Sequence, residues 1–166
     1  MKTIYLDHAA TTYIDNAVLK KILPYLKENF GNPSSLYLIG RQAKAAIENA
    51  RAGIAKILGV SSREIIFTGS GTESDNLAIF GVAKAYSNKG RHIIVSKIEH
   101  KAVLESVKKL EKDGFKITYL DVDSKGLVNL PELKKSLRPD TILVSVMYAN
   151  NEIGTIQPIA KITEII

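Results

Sequence analysis

Three observations predict an α/β fold with a largely parallel sheet and flanking helices. From residue 65 onward, short β-branched runs alternate with longer helical patterns, the rhythm of strand–helix–strand units joined by crossovers. Residues 141–147, Thr-Ile-Leu-Val-Ser-Val-Met, form a nearly continuous apolar and β-branched run, as in a strand covered on both faces. A length of 166 residues with 45% hydrophobic and 24% charged content suits one globular domain with a sizeable core.

The elements follow in order. Asp15 is placed to cap a helix reaching about Asn29, with Val18, Ile22, Tyr25 and Leu26 on one face, Pro24 inside it and Gly31 as the stop. Residues 31–35, Gly-Asn-Pro-Ser-Ser, read as a loop. The longest helix spans Leu38–Leu58, with Ala43, Ile47, Ala50, Ile54 and Ile57 at three- and four-residue steps and Gly59 ending it. A strand is expected at 65–68, then a helix from Thr72 to about Tyr86 with little polar face. Strand His92–Ser96, a helix at about 102–112 closed by Gly114, and strand Lys116–Leu120 follow. Pro131 opens a short helix, 141–147 is the last strand, and Pro158 begins a final helix. No repeat or low-complexity segment interrupts this order.

Composition narrows the function classes. Zero cysteines exclude a disulfide framework, a thiolate metal site and a thiol nucleophile within these residues, and no metal site is expected. The start, Met1-Lys2-Thr3-Ile4-Tyr5, carries no signal-peptide apolar region, and no apolar stretch approaches bilayer-spanning length. A cytoplasmic protein without membrane association is expected. The net charge of +6 does not point to nucleic acid. Lys20, Lys27, Lys44, Lys56, Lys84, Lys108, Lys112 and Lys134 are scattered over predicted helix faces, with no dense basic run and no interleaved aromatics.

In open parallel sheets, ligands sit beyond the carboxyl ends of the strands, and three polar segments are expected at that edge. The first is 65–76, Ile-Ile-Phe-Thr-Gly-Ser-Gly-Thr-Glu-Ser-Asp-Asn. Here Gly71-Thr72 opens a helix whose free N–H groups and positive dipole end suit a phosphate. Gly69-x-Gly71-x-x-Ser74 also resembles a dinucleotide fingerprint, but the next strand ends Val95-Ser96-Lys97, without the acid that would hold a ribose. A simpler phosphate ligand fits better. The second segment holds His100 beside Glu99, able to stack on a flat ring or to move protons, or simply to cap a helix. The third holds Asn150-Asn151-Glu152; either amide could bind a ligand oxygen, and Asx-turn chemistry explains them equally well. His92, at a strand start, is expected to be structural, while His8 and Ala9 lie in a segment that reads as a loop or a pocket wall.

These segments, in this order, resemble the N-terminal portion of the cysteine desulfurases, a group within the class-V, fold-type I aminotransferases. The resemblance is carried by Tyr5-Leu6-Asp7-x-Ala9-Ala10-Thr11-Thr12, Phe30-Gly31-Asn32-Pro33-Ser34-Ser35, 67–76, Glu99-His100-Lys101-Ala102-Val103 and 150–159. It covers essentially the whole chain. One departure is Gly-Ser-Gly-Thr at 69–72, where the family commonly has Ser-Gly-Ala-Thr. The resemblance implies an incomplete fold-type I large domain across 1–166, with about the first 15 residues near the substrate pocket or a small domain.

It further implies pyridoxal 5′-phosphate (PLP) as cofactor and L-cysteine as substrate, converted to L-alanine with sulfur passed to an enzyme persulfide. Gly71 and Thr72 would hold the phosphate, His100 would stack on the ring and assist proton transfer, and Asn151 would bond the ring hydroxyl. His8 and Ala9 would lie near the substrate pocket. A homodimer and a sulfur-acceptor or scaffold protein, as in iron–sulfur cluster assembly, are the implied partners. In the family, the cofactor-anchoring lysine in Ser-x-His-Lys, the acid facing the pyridine nitrogen, the arginine for the substrate carboxylate and the cysteine nucleophile lie beyond the position matching Ile166. The 166-residue chain is therefore expected to be an N-terminal fragment, inactive alone. The alternatives are a non-catalytic half of a split enzyme, or a sister activity such as selenocysteine lyase.

Overall fold

A computed structural model describes residues 4–166; Met1-Lys2-Thr3, part of the segment read for a leader, lie outside the described residues. The chain divides into two units, one up to Phe67 and one from Thr68 to Ile166.

In the first unit, α1 (Asn16–Lys27) starts where Asp15 accepts the Ala17 N–H at 2.7 Å. The next helix, α2 (Leu38–Leu58), ends on Gly59 at φ 69°, a left-handed cap that glycine adopts without strain. The loop before α2 packs so closely that a Cβ on Gly40 would lie 2.4 Å from the Ser35 carbonyl oxygen. A single 3₁₀ turn, Ser62–Glu64, follows, closed by a capping box between Ser61 and Glu64.

Residues 65–68 do not form the expected strand. Their backbone is irregular, and Ile66 and Phe67 are exposed. A strand is stabilised by ladder bonds and cross-strand pairs, and none runs beside this segment among the described residues. The Ile65 carbonyl instead accepts from the Arg51 guanidinium, which also sits 4.7 Å above the centre of the Phe67 ring.

The second unit is the expected α/β arrangement. It comprises α3 (Gly71–Ala85), β1 (His92–Ser96), α4 (Lys101–Lys112), β2 (Lys116–Leu120), α5 (Leu130–Ser136), β3 (Thr141–Ser145) and α6 (Ile159–Ile165). The three strands are parallel in the order β2-β1-β3, with His92 opposite Lys116 and Thr141. Alternation along β1 divides the core. Ile93 and Val95 pack with Ile79 and Ala83 of α3 and Val103, Val107 and Leu110 of α4. Ile94 faces the other way, joining Leu120, Val128, Leu133 of α5 and Ile162 of α6. Helices thus cover both faces of the sheet.

The expectation that 141–147 would be buried on both faces needs correction. All five residues of β3 are half-buried, and the wholly buried strand is β1. Burial follows place in the sheet: β1 is central, whereas β3 has a neighbouring strand on one side among the described residues.

Candidate functional site

Because the strands are parallel, the segments after β1, β2 and β3 leave from one edge. The bond network shows how two of the three expected segments meet there. Asn150 donates from its amide to the Ile98 carbonyl at 3.1 Å, and Ser145 at the end of β3 donates to Glu99 at 3.3 Å. The first segment, 65–76, is linked through α3 and α4: Ser106 donates to the Asn76 side chain at 3.2 Å. An open cavity of about 510 Å³ lies here, lined among others by Thr72, Asn76, His100, Lys101, Ser106 and Lys109.

The start of α3 is built by its own side chains. Ser70 is the N-cap, its hydroxyl accepting the Glu73 N–H at 3.2 Å, and the Glu73 carboxylate accepts the Gly69 N–H at 2.7 Å. The Ser74 N–H bonds the Ser70 carbonyl at 3.1 Å. That leaves the N–H groups of Gly71 and Thr72 without an acceptor among the described residues, at the positive end of a 15-residue helix. Both residues are exposed, and a Cβ on Gly71 would meet no atom within 4 Å beyond its chain neighbours and its own helix backbone.

His100 is the N-cap of α4: its Nδ1 accepts the Ala102 N–H at 3.1 Å. In the neutral ring this fixes the tautomer, with the proton on Nε2 and the exposed ring free to meet a ligand. The capping role and an orienting role are therefore compatible. Glu99 beside it is buried, and burial pushes its carboxyl above the usual range. Bonds from the Ser145 hydroxyl and from the backbone N–H groups of Met147 and His100 pull the other way, while nearby Asp75 adds to the rise.

The two asparagines separate. Asn150 accepts the N–H groups of Glu152 at 2.9 Å and Ile153 at 3.0 Å while donating to Ile98, so its amide is spent on the turn. The Asn151 side chain is exposed and makes no hydrogen bond among the described residues. The turn is further held by buried Gln157, which donates to the Gly126 carbonyl at 2.6 Å and accepts the Val128 N–H at 3.0 Å. Sequence reasoning named Glu99 and Gln157 only as neighbours within motifs and gave neither a role of its own. The available signal was an acid directly after a buried strand and an amide just before a helix-opening proline.

His8 and Ala9 belong to the first unit, and their described contacts are local. His8 bonds Thr12 at 3.0 Å and meets Tyr5 and Tyr13 edge-on. His92 is structural as expected, buried at the start of β1. Among the described residues no cluster could hold a metal ion, and no helix is long and apolar enough to cross a membrane.

The family described as Aminotransferase class-V matches residues 4–166. The chain belongs to the class-V aminotransferases. Within this family it is similar to "Putative cysteine desulfurase IscS 1" of Bacillus subtilis, 55% identical over all 166 residues, which are 44% of that protein. It is likewise similar to "Cysteine desulfurase IscS" of Dictyoglomus turgidum, 58% identical over 99% of this chain and 42% of the relative. Among solved structures, a "NifS-like protein" superposes with a TM-score of 0.94 at 48% identity, covering 98% of this chain and 44% of the other. A structure described as "SspA in complex with cysteine" gives 0.92 at 40% identity, covering 98% and 47%. This class-V chain thus spans less than half the length of the relatives it matches.

Proposed function

We propose that this chain supplies the phosphate-binding and ring-facing part of a PLP-dependent cysteine desulfurase. The observation that carries the proposal is the α3 N-terminus, where Gly71 and Thr72 keep two free N–H donors after Ser70 and Glu73 have satisfied their neighbours. A phosphate fits there: two adjacent free donors stand at a positive helix end, with open space beside Gly71. Membership of the class-V family and likeness to relatives named cysteine desulfurase support the rest.

PLP, when bound, supplies an electron sink that stabilises negative charge developing on the substrate carbon. The chain's own residues would do the following. Gly71 and Thr72 would anchor the phosphate through backbone N–H groups and the Thr72 hydroxyl. His100 would lay its imidazole over the ring and present the Nε2 proton. Asn151, its amide unspent, would donate to the ring hydroxyl, while Asn150 holds the turn. L-cysteine as substrate is supported by the names of the relatives and by a structural neighbour solved with cysteine. His8 and Ala9 enter as substrate-side residues on the strength of their motif. A homodimer passing sulfur to an acceptor protein, and a cytoplasmic setting, belong to the same proposal through the family.

The test is a titration of the 166-residue chain with PLP and with inorganic phosphate. The two should compete, and Thr72→Val should weaken both by about fivefold, the loss of one ordinary hydrogen bond. PLP binding untouched by phosphate and by Thr72→Val would remove the basis of the assignment.

A further inference from the structure

We propose that Glu99 is a positioning residue whose buried carboxyl locks His100 and the 150–151 turn into one arrangement; the functional meaning of that lock rests on the reading above. Glu99 is 8% exposed, an unusual place for a carboxyl at a loop edge. The Ser145 hydroxyl, at the end of β3, donates to it at 3.3 Å. The backbone N–H groups of Met147, two residues on, and of His100, from its own loop, lie close enough to favour its ionised form. One short side chain therefore joins the backbone that carries His100 to the strand that leads into the asparagine turn. Asn150 makes a second tie across the same gap through Ile98.

The residue type is informative. An ionised carboxylate is acceptor-only and can receive all three donors, whereas the isosteric amide of glutamine offers one oxygen and two N–H donors. Glu99→Gln would therefore set a donor against a donor without changing volume. Packing alone would tolerate that exchange; a lock built on acceptors would not. Leu104, Val107 and the other apolar contacts of α4 leave the sheet itself independent of Glu99.

The test is amide exchange and imidazole ¹⁵N spectroscopy on the ligand-free chain, in wild type, Glu99→Gln and Glu99→Asp. In the glutamine variant the Met147 and His100 amides should exchange at least tenfold faster. The His100 ring should move from a single Nε2–H tautomer to a mixture, while Ile93, Ile94 and Val95 in β1 keep their protection. If the glutamine variant fails to fold, the aspartate variant, with its carboxyl withdrawn by one methylene, should show the same changes. Unchanged exchange and an unchanged His100 spectrum would overturn the proposal. So would loss of β1 protection in both variants, since Glu99 would then hold the sheet rather than the site. All these readouts are taken without cofactor, so failure of PLP to compete with phosphate strikes the functional reading and leaves the Glu99 lock to be judged on its own.

Discussion

His92 sits at the buried end of β1 with both ring nitrogens engaged, Nδ1 with the Thr141 hydroxyl at 2.7 Å and Nε2 with that of Thr118 at 2.8 Å. Thr141 also accepts the Arg138 N–H at 2.9 Å, so its own proton is free to go to Nδ1 and the neutral ring completes the chain of bonds. Burial is the main cause of a lowered pKa; Arg138 and Lys116 add to it, and Asp140 opposes it. The sign follows. An unfolded imidazole titrates near ~6.5 and takes up protons before the folded one does, so stability is lost as pH falls through that value towards the lower folded value. Glu99, with its carboxyl pushed up by burial, acts in the opposite sense at the acid end. The comparison with His92→Gln cancels that contribution. Urea midpoints at pH 7.5 and 5.5 should show a larger acid loss in wild type than in His92→Gln. Equal losses would show that the ring is not held neutral by the fold.

At the scale of elements, the sequence was legible wherever a local signal set the structure. The bounds of α2, β1 and β2 follow their periodicity, Gly59 stops α2, and Asp15 caps α1. What could not be read depended on neighbours. Ile65-Ile66-Phe67-Thr68 has strand composition but no ladder beside it. The apolar run after Thr141 suggested double burial, yet β1, with polar His92 and Ser96 at its ends, holds the central place. Strand order is a property of the assembled sheet that no periodicity encodes. The candidate site divides in the same way. A glycine-rich turn into a helix announced α3, but Asn150 and Asn151 look alike until the turn shows which amide is spent. Ser70 gives an element-scale prediction. Its hydroxyl is the side-chain cap of α3, so Ser70→Ala should lower stability by about 1 kcal/mol and weaken phosphate binding by fraying the first turn. Urea unfolding and the phosphate titration check it; wild-type values in both would mean that the Glu73 carboxylate alone organises the turn.

For the whole molecule, stability is unevenly distributed. Both buried clusters draw entirely on the second unit. In the first, α1 buries no residue and α2 buries Gly40 and Ala55. The face that periodicity assigned to the interior of α1 is open: Val18, Ile22, Tyr25 and Leu26 are all exposed, Leu26 at 71%. Each such side chain gains about 1.5–3 kcal/mol when fully buried, so covering even three would match a large share of a typical ~5–15 kcal/mol domain stability. Water is a poor final partner for that face, and an apolar patch left open promotes association. The 166-residue chain in solution should therefore self-associate with rising concentration, through its first unit. Size-exclusion elution should shift to larger species between micromolar and hundred-micromolar loading. Val18→Lys with Leu26→Lys should suppress the shift, because charge on that face raises the cost of burying it. The same imbalance predicts the order of opening, with α1 amides exchanging well before those of β1 and α4. A concentration-independent monomer whose α1 amides are as protected as those of β1 would show instead that the first unit is stable without a covering surface.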